Sequence, residues 1–377
     1  MVNPAGTEGS STGALVRLEG VTKHFPVRGG GFWRRGSEVV HAVDNVTIDV
    51  MRGETLGLVG ETGCGKSTLA RCITRLVDLT SGTVLLDGED ISKLGRRRMR
   101  PYRRRMQMVF QDPYGSLNPR RRVGSIIGDP FAIHGVAKGE ERKKQVQHLM
   151  ELVGLNPEHY NRFPSDFSGG QRQRIGVARA LALQPQLIVA DEPVSALDVS
   201  IRAQVINLLA DVQEEFHLTY VFITHDLSVV RHVSDRVAVM YLGQVVELAP
   251  REDLYSRPRH PYTKALQSAI PLPDPDAADK RTRAVLGGDV PSPIQPPSGC
   301  RFHPRCPKAQ DRCKIEEPVL EVKPGDLAGH LVACHFPLAD GEELPSRGEV
   351  TVITPNAEGT PTESTGAEAT SAEATKP

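Results

Sequence analysis

The stretch TLGLVGETGCGKSTLARCI, Thr55 to Ile73, is a short apolar run, a glycine-rich turn and a helical pattern in succession. Gly60 to Ser67 within it fits the spacing G-x-x-x-x-G-K-S/T. Glycines at these points let the backbone turn tightly, so that successive N–H groups face inward on phosphate oxygens. A helix starting near Lys66 adds its positive N-terminal end. The stretch therefore reads as a nucleotide cradle made of Gly60, Glu61, Thr62, Gly63, Cys64, Gly65, Lys66, Ser67 and Thr68. In it Lys66 reaches the β- and γ-phosphates of ATP, and the Ser67 hydroxyl is a ligand for Mg²⁺.

Outward from the cradle, PQLIVADEP (Pro185–Pro193) supplies a continuous apolar run of the kind buried on both faces of a parallel sheet. It ends in two adjacent carboxylates. Side chains alternate along a strand, so Asp191 and Glu192 are expected to point differently and take different roles. Asp191 is the expected Mg²⁺ partner and Glu192 the group that polarises an attacking water. Upstream lies FPSDFSGGQRQRIGVARAL (Phe163–Leu181), where Ser168 can cap the helix that follows and Gly169, Gly170 and Gln171 complete a second anion-binding helix start.

With these pieces in hand the chain resembles an ABC ATPase. FSGGQ (Phe167–Gln171) is similar to that family's signature motif, with Phe167 where leucine is more usual. Gln111 in MVFQDP resembles the Q-loop glutamine that senses the γ-phosphate and Mg²⁺. SALD (Ser195–Asp198) resembles the D-loop, and His225 in VFITHD resembles the switch histidine. Phe25 in VTKHFPV is similar to the aromatic that stacks on adenine, though a lone aromatic after a strand also suits a core. The resemblance implies an α/β P-loop fold, with a RecA-like core and antiparallel β and helical signature subdomains. It also implies that the signature turn of one ATPase domain closes over the ATP of another. Each motif occurs once here, so a second ATPase subunit is expected.

Composition sets bounds. Lys+Arg and Asp+Glu both number 46, so no global field favours nucleic acid, and none is expected as a partner. The arginine run GRRRMRPYRRRMQ (Gly95–Gln107) reads as a solvated face, with contact to anionic lipid as the lesser reading. The first residues lack a signal-peptide pattern, and no apolar run approaches the roughly 20 residues that span a bilayer. Residues 1–12 and 341–377 are expected to be disordered, 13–266 to form the ATPase domain, and 267–340 a cysteine-containing extension.

Two segments narrow the family. MVFQDPYGSLNPRRRVG (Met108–Gly124) and YSRPRHPYTKALQSAIP (Tyr255–Pro271) resemble parts of the dipeptide/oligopeptide importer ATPases. That resemblance implies two transmembrane permease subunits and an extracytoplasmic substrate-binding protein as partners. It places the chain peripherally on the cytoplasmic face of the membrane. Importers of nickel or oligosaccharides remain open, and a DNA-repair ABC ATPase is the runner-up.

The extension gathers Cys300, Cys306, Cys313 and Cys334, separated by five, six and twenty residues. Four thiolates can complete a tetrahedral zinc site or an iron–sulfur cluster, and the spacing matches neither common pattern. Resemblance to the extension of peptide-importer ATPases points to a 4Fe–4S cluster, with zinc as the alternative and unligated thiols as the third reading. His303 and His335 compete as ligands. Density in Pro and Gly suggests a small metal-stapled module beside a separately folded nucleotide core. Cys64 and Cys72 read as ordinary packed thiols.

Overall fold

The computed structural model describes residues 13–27, 38–112, 115–269 and 288–344. The expected disorder of 1–12 and of 345–377 lies outside these residues, but 341–344, expected within that tail, are ordered: Leu344 is buried against Ala265 and Leu338, and Glu342 and Glu343 pair with Lys308 and Lys264. Among the described residues the strands are β1 (Ala14–Pro26), β2 (Val39–Met51), β3 (Thr55–Val59), β4 (Ser81–Leu86), β5 (Glu89–Asp90), β6 (Met106–Val109), β7 (Leu187–Asp191), β8 (Thr219–Ile223), β9 (Arg236–Tyr241), β10 (Gln244–Pro250) and β11 (Leu331–Val332).

The apolar runs read from the sequence form the centre. β3, β7 and β8 are buried at every position and are joined in parallel, with β6 outside β7 and β9 on the other side of β3. Burial on both faces explains their lack of alternation. β10 and β11 extend this sheet antiparallel beyond β9. A second, antiparallel sheet in the order β2-β1-β4-β5 covers the helix Lys66–Ile73, and the two surfaces share one core that includes Leu18, Val43, Leu58, Leu69 and Val221. The helices Val123–His134, Gly139–Leu152 and Gly169–Leu181 pack on one another as a helical subdomain over a second core. This is the three-part architecture that the resemblance implies.

The extension departs from the expectation of a separate module. β11, drawn from it, pairs with β10 through Glu247↔Val332 and Leu248↔Leu331. Phe302, Cys300 and Cys313 share a third core with Val59, Val239, Tyr241 and Tyr262, directly behind the nucleotide cradle. The physical reason is apolar: Phe302 is fully buried with its ring 5.3 Å from Tyr241 and 5.4 Å from Tyr262, centroid to centroid. A loop-rich tract with one large aromatic gains more by borrowing an existing core than by building its own.

Candidate nucleotide site

The cradle joins β3 to the helix Lys66–Ile73, and its two outer glycines are required sterically. Gly60 (φ 151) and Gly65 (φ 109) hold left-handed backbone. A Cβ on Gly60 would lie 2.2 Å from the Met240 carbonyl oxygen, and one on Gly65 would lie 2.0 Å from that of Ala42. The loop is thus pressed against β9 and β2 where no side chain fits. The Lys66 ammonium donates to the carbonyls of Gly60 at 2.8 Å and Glu61 at 2.9 Å, and the residue is 5% exposed. Cys64 is buried and its thiol is pushed above its ordinary pKa by burial; Cys72 is pushed up to about 11 for the same reason. Both behave as packed thiols.

The acidic end of β7 meets the cradle. The Ser67 hydroxyl donates to Asp191 Oδ1 at 2.8 Å. Burial raises the Asp191 carboxyl above its ordinary pKa, opposed by that hydroxyl and by the nearby Arg71. Glu192 does not continue the strand as alternation suggested. It sits at φ 44 with its N–H held by the Ile223 carbonyl at 2.9 Å, so a left-handed turn, not pleating, separates the two carboxylates. Such backbone is costly for a residue other than glycine and marks a position held by its surroundings. Gln111 Nε2 donates to Glu192 Oε2 at 2.9 Å, and His225 Nδ1 lies 3.4 Å from Oε1. Five residues named from four motifs, Ser67, Gln111, Asp191, Glu192 and His225, therefore stand together, Ser67 on Asp191 and both Gln111 and His225 on Glu192.

The remaining candidates stand elsewhere. Ser168 caps the helix Gly169–Leu181 reciprocally with Gln171: Gln171 N–H donates to Ser168 Oγ at 3.3 Å, and Ser168 N–H to Gln171 Oε1 at 3.0 Å. Phe25 stands next to the end of β1 and is 38% exposed, with the Lys23 ammonium 4.7 Å from its ring centre, so it is a surface aromatic rather than a core one. Arg96 to Arg98 are exposed on a short helix, as expected of a solvated face.

Sequence reading missed the extension's hold on the cradle. The Arg305 guanidinium forms a two-armed pair with Glu61, Nη1 to Oε2 at 2.9 Å and Nη2 to Oε1 at 3.1 Å. The Glu61 N–H donates to the Tyr262 hydroxyl at 2.9 Å. Arg301 pairs with Asp44 on β2. The one available signal was an acidic residue inside a phosphate loop, which calls for a cation from somewhere.

The four tail cysteines are free thiols, three buried and Cys306 partly so. Burial, reinforced by the neighbouring thiols, pushes Cys306 and Cys334 up to about 12. The Cys300 N–H donates to the Cys313 carbonyl at 2.8 Å. His303 Nδ1 lies 2.9 Å from the Cys300 carbonyl oxygen, and His335 Nε2 lies 3.0 Å from that of Glu316, which occupies one nitrogen of each competing histidine. Among the described residues, the one trio of His, Cys, Asp or Glu with ligand atoms all within 4.8 Å is His24, His41 and Asp44. The tail sulfurs are spread more widely than the roughly 3.8 Å edge of a tetrahedral zinc–thiolate site.

Comparison with known proteins adds family evidence. Residues 43–195 match the ABC transporter family, and residues 246–313 match the oligopeptide/dipeptide transporter C-terminal region. The chain is 54% identical over 322 residues to the probable peptide ABC transporter ATP-binding protein y4tS of Sinorhizobium fredii, covering 85% of this chain and 90% of that one. It is also 54% identical over 324 residues to the oligopeptide transport ATP-binding protein AppF of Bacillus subtilis, covering 85% and 97%. A dimeric ATP-binding cassette solved in a post-hydrolysis state with ADP and Pi superposes with a TM-score of 0.56 at 31% identity, over 63% of this chain and 98% of that one.

Proposed function

This chain belongs to the family of peptide ABC transporter ATP-binding proteins, and we propose that it hydrolyses ATP to drive import of di- or oligopeptides. The observation that carries this reading is the meeting of Ser67 with Asp191 and of Glu192 with Gln111 and His225 beside the glycine cradle. The cradle N–H groups and Lys66 take the phosphate charge, which is the main demand of phosphoryl transfer. Glu192 accepts a proton from the attacking water, held in place by Gln111 and His225. The paired oxygens of Ser67 and Asp191 suit a hard cation, so these two residues would hold Mg²⁺, and Gln111, bonded to the adjacent Glu192, is the proposed third ligand. When bound, Mg²⁺ neutralises the β/γ-phosphate charge.

Phe25 is the proposed adenine platform. Ser168, Gly169, Gly170 and Gln171 are proposed to close on the ATP of a second ATPase subunit, as the dimeric relative supports. Two transmembrane permeases and an extracytoplasmic binding protein complete the proposed assembly, on the cytoplasmic face of the membrane. Among the described residues no helix is long and apolar enough to cross a membrane. Cys300, Cys306, Cys313 and Cys334 are proposed to hold a 4Fe–4S cluster, with zinc as the alternative; their gathering in one segment, with Cys334, Cys300 and Cys313 near enough to Cys306 to raise its pKa, supports a shared ligand role.

The test is the ATPase rate of the assembled complex in vesicles. Stimulation by peptide-loaded binding protein is expected. Stimulation by nickel- or oligosaccharide-loaded binding protein instead would change the cargo, and stimulation by DNA without any permease would overturn the import reading.

A further inference from the structure

We propose that His24, His41 and Asp44 form a binding site for a divalent transition-metal ion of the zinc type, on the β1–β2 hairpin beside the cradle.

The three side chains converge by strand register. His24 and His41 are directly paired across β1 and β2, and their rings lie 4.2 Å apart, tilted by 53°. Asp44 stands three residues further along β2 and faces both. Its Oδ1 lies 3.4 Å from His24 Nε2, and its Oδ2 lies 3.4 Å from His41 Nδ1. These separations are long for N–H···O hydrogen bonds. Each runs to a different carboxylate oxygen, and one ligand atom from each residue can be chosen so that all three lie within 4.8 Å of one another, a spread that a bound ion would draw together. His24 Nε2 is shielded from solvent and makes no hydrogen bond. A shielded ring nitrogen that faces a carboxylate without a hydrogen bond is a position that a metal ion would satisfy.

The chemistry of the donors agrees. Arg301 grips Oδ2 from the far side and so orients the carboxylate as an outer partner; its charge also opposes a cation, and one carboxylate cancels one of the two. Two imidazoles and one carboxylate suit zinc, nickel or copper better than Mg²⁺ or Ca²⁺. All three side chains are partly exposed, so an ion can enter and a water can complete the coordination.

The position gives the site a consequence. His24 precedes Phe25, and the Asp44 N–H donates to the Gly243 carbonyl at 2.9 Å, while the Gly243 N–H donates to the Cys64 carbonyl at 2.8 Å. A metal here ties β1, which carries Phe25, to β2, whose Asp44 backbone is bonded to the turn between β9 and β10 beside the phosphate loop.

The experiment titrates Zn²⁺ into the full chain and into His24→Gln, which is expected to fold because glutamine keeps a polar side chain at this partly exposed strand position. The tail cysteines are identical in both, so their metal cancels. Wild type is expected to bind one more Zn²⁺ per chain, and Zn²⁺ to raise the melting temperature of wild type by more than that of the variant. His41→Gln should behave alike. Co²⁺ added to the wild type should give the visible absorption of a tetrahedral site without thiolate, and this should vanish on Zn²⁺ addition. Equal zinc stoichiometry in wild type and both variants, or no thiolate-free cobalt signal in wild type, overturns the proposal.

Discussion

Arg305 of the extension and Glu61 of the phosphate loop form a two-armed salt bridge, at 2.9 and 3.1 Å, with the Arg305 side chain almost wholly buried. The loop that cradles phosphate is therefore held from behind by a residue next to Cys306. Arg305→Ala leaves the Glu61 carboxylate and the Tyr241 hydroxyl, to which Nη1 donates at 3.4 Å, without their cation. It is expected to cost about 1.5–3 kcal/mol of stability and to weaken ATP binding. Urea unfolding with an ATP titration measures both. A double-mutant cycle with Glu61→Gln should show strong coupling, and additivity would remove the link.

Glu192→Gln keeps the hydrogen-bonded shape beside Gln111 and His225 but loses the proton acceptor. Turnover should fall by about 10² or more while ATP binding persists. Near-normal hydrolysis in the assembled complex would show that another group activates the water.

Lys66→Ala removes the ammonium that now bridges the Gly60 and Glu61 carbonyls. Nucleotide affinity should drop by about 1.5–3 kcal/mol. Fluorescent ATP titration reads this directly, and unchanged affinity would place the phosphate contact elsewhere.

His260 gives a pH signature. It is completely buried, accepts the Tyr262 N–H on Nδ1 at 3.1 Å, and burial pushes its pKa down to about 3. Its neighbour Glu247 takes the His260 N–H and the His330 ring. The unfolded chain protonates this histidine below about pH 6.5, whereas the folded chain does not until about pH 3. The stability is complete above pH 6.5 and declines as pH falls through that window, by about 1.4 kcal/mol per pH unit from this residue. His260→Gln should flatten the slope between pH 6.5 and the acid transition in denaturant midpoints.

The tail cysteines are expected to yield brown protein under anaerobic purification, with about four iron and four acid-labile sulfide per chain. Cys306→Ser should remove the cluster. It should also weaken ATP binding, because Arg305 precedes it and grips Glu61. Stoichiometric zinc without iron would keep the ligands and reject the cluster; no metal would reject both.

Local chemistry alone determined the cradle, the acidic strand end and the Ser168 cap, because each depends on residue types within a few positions of one another. Their order along the chain was enough to place the chain among ABC ATPases. Only the tertiary structure decided what stands behind the loop. Glu61 meets Arg305 across 244 residues, and no local pattern carries that separation. The same holds for Arg301 on Asp44, for His24 opposite His41, and for the left-handed backbone of Glu192, which follows from the Ile223 carbonyl that receives its N–H. Local propensity sets which turns and strands form. Which side chains meet is set by how the sheets stack and by where a small, apolar-poor extension finds a core to share.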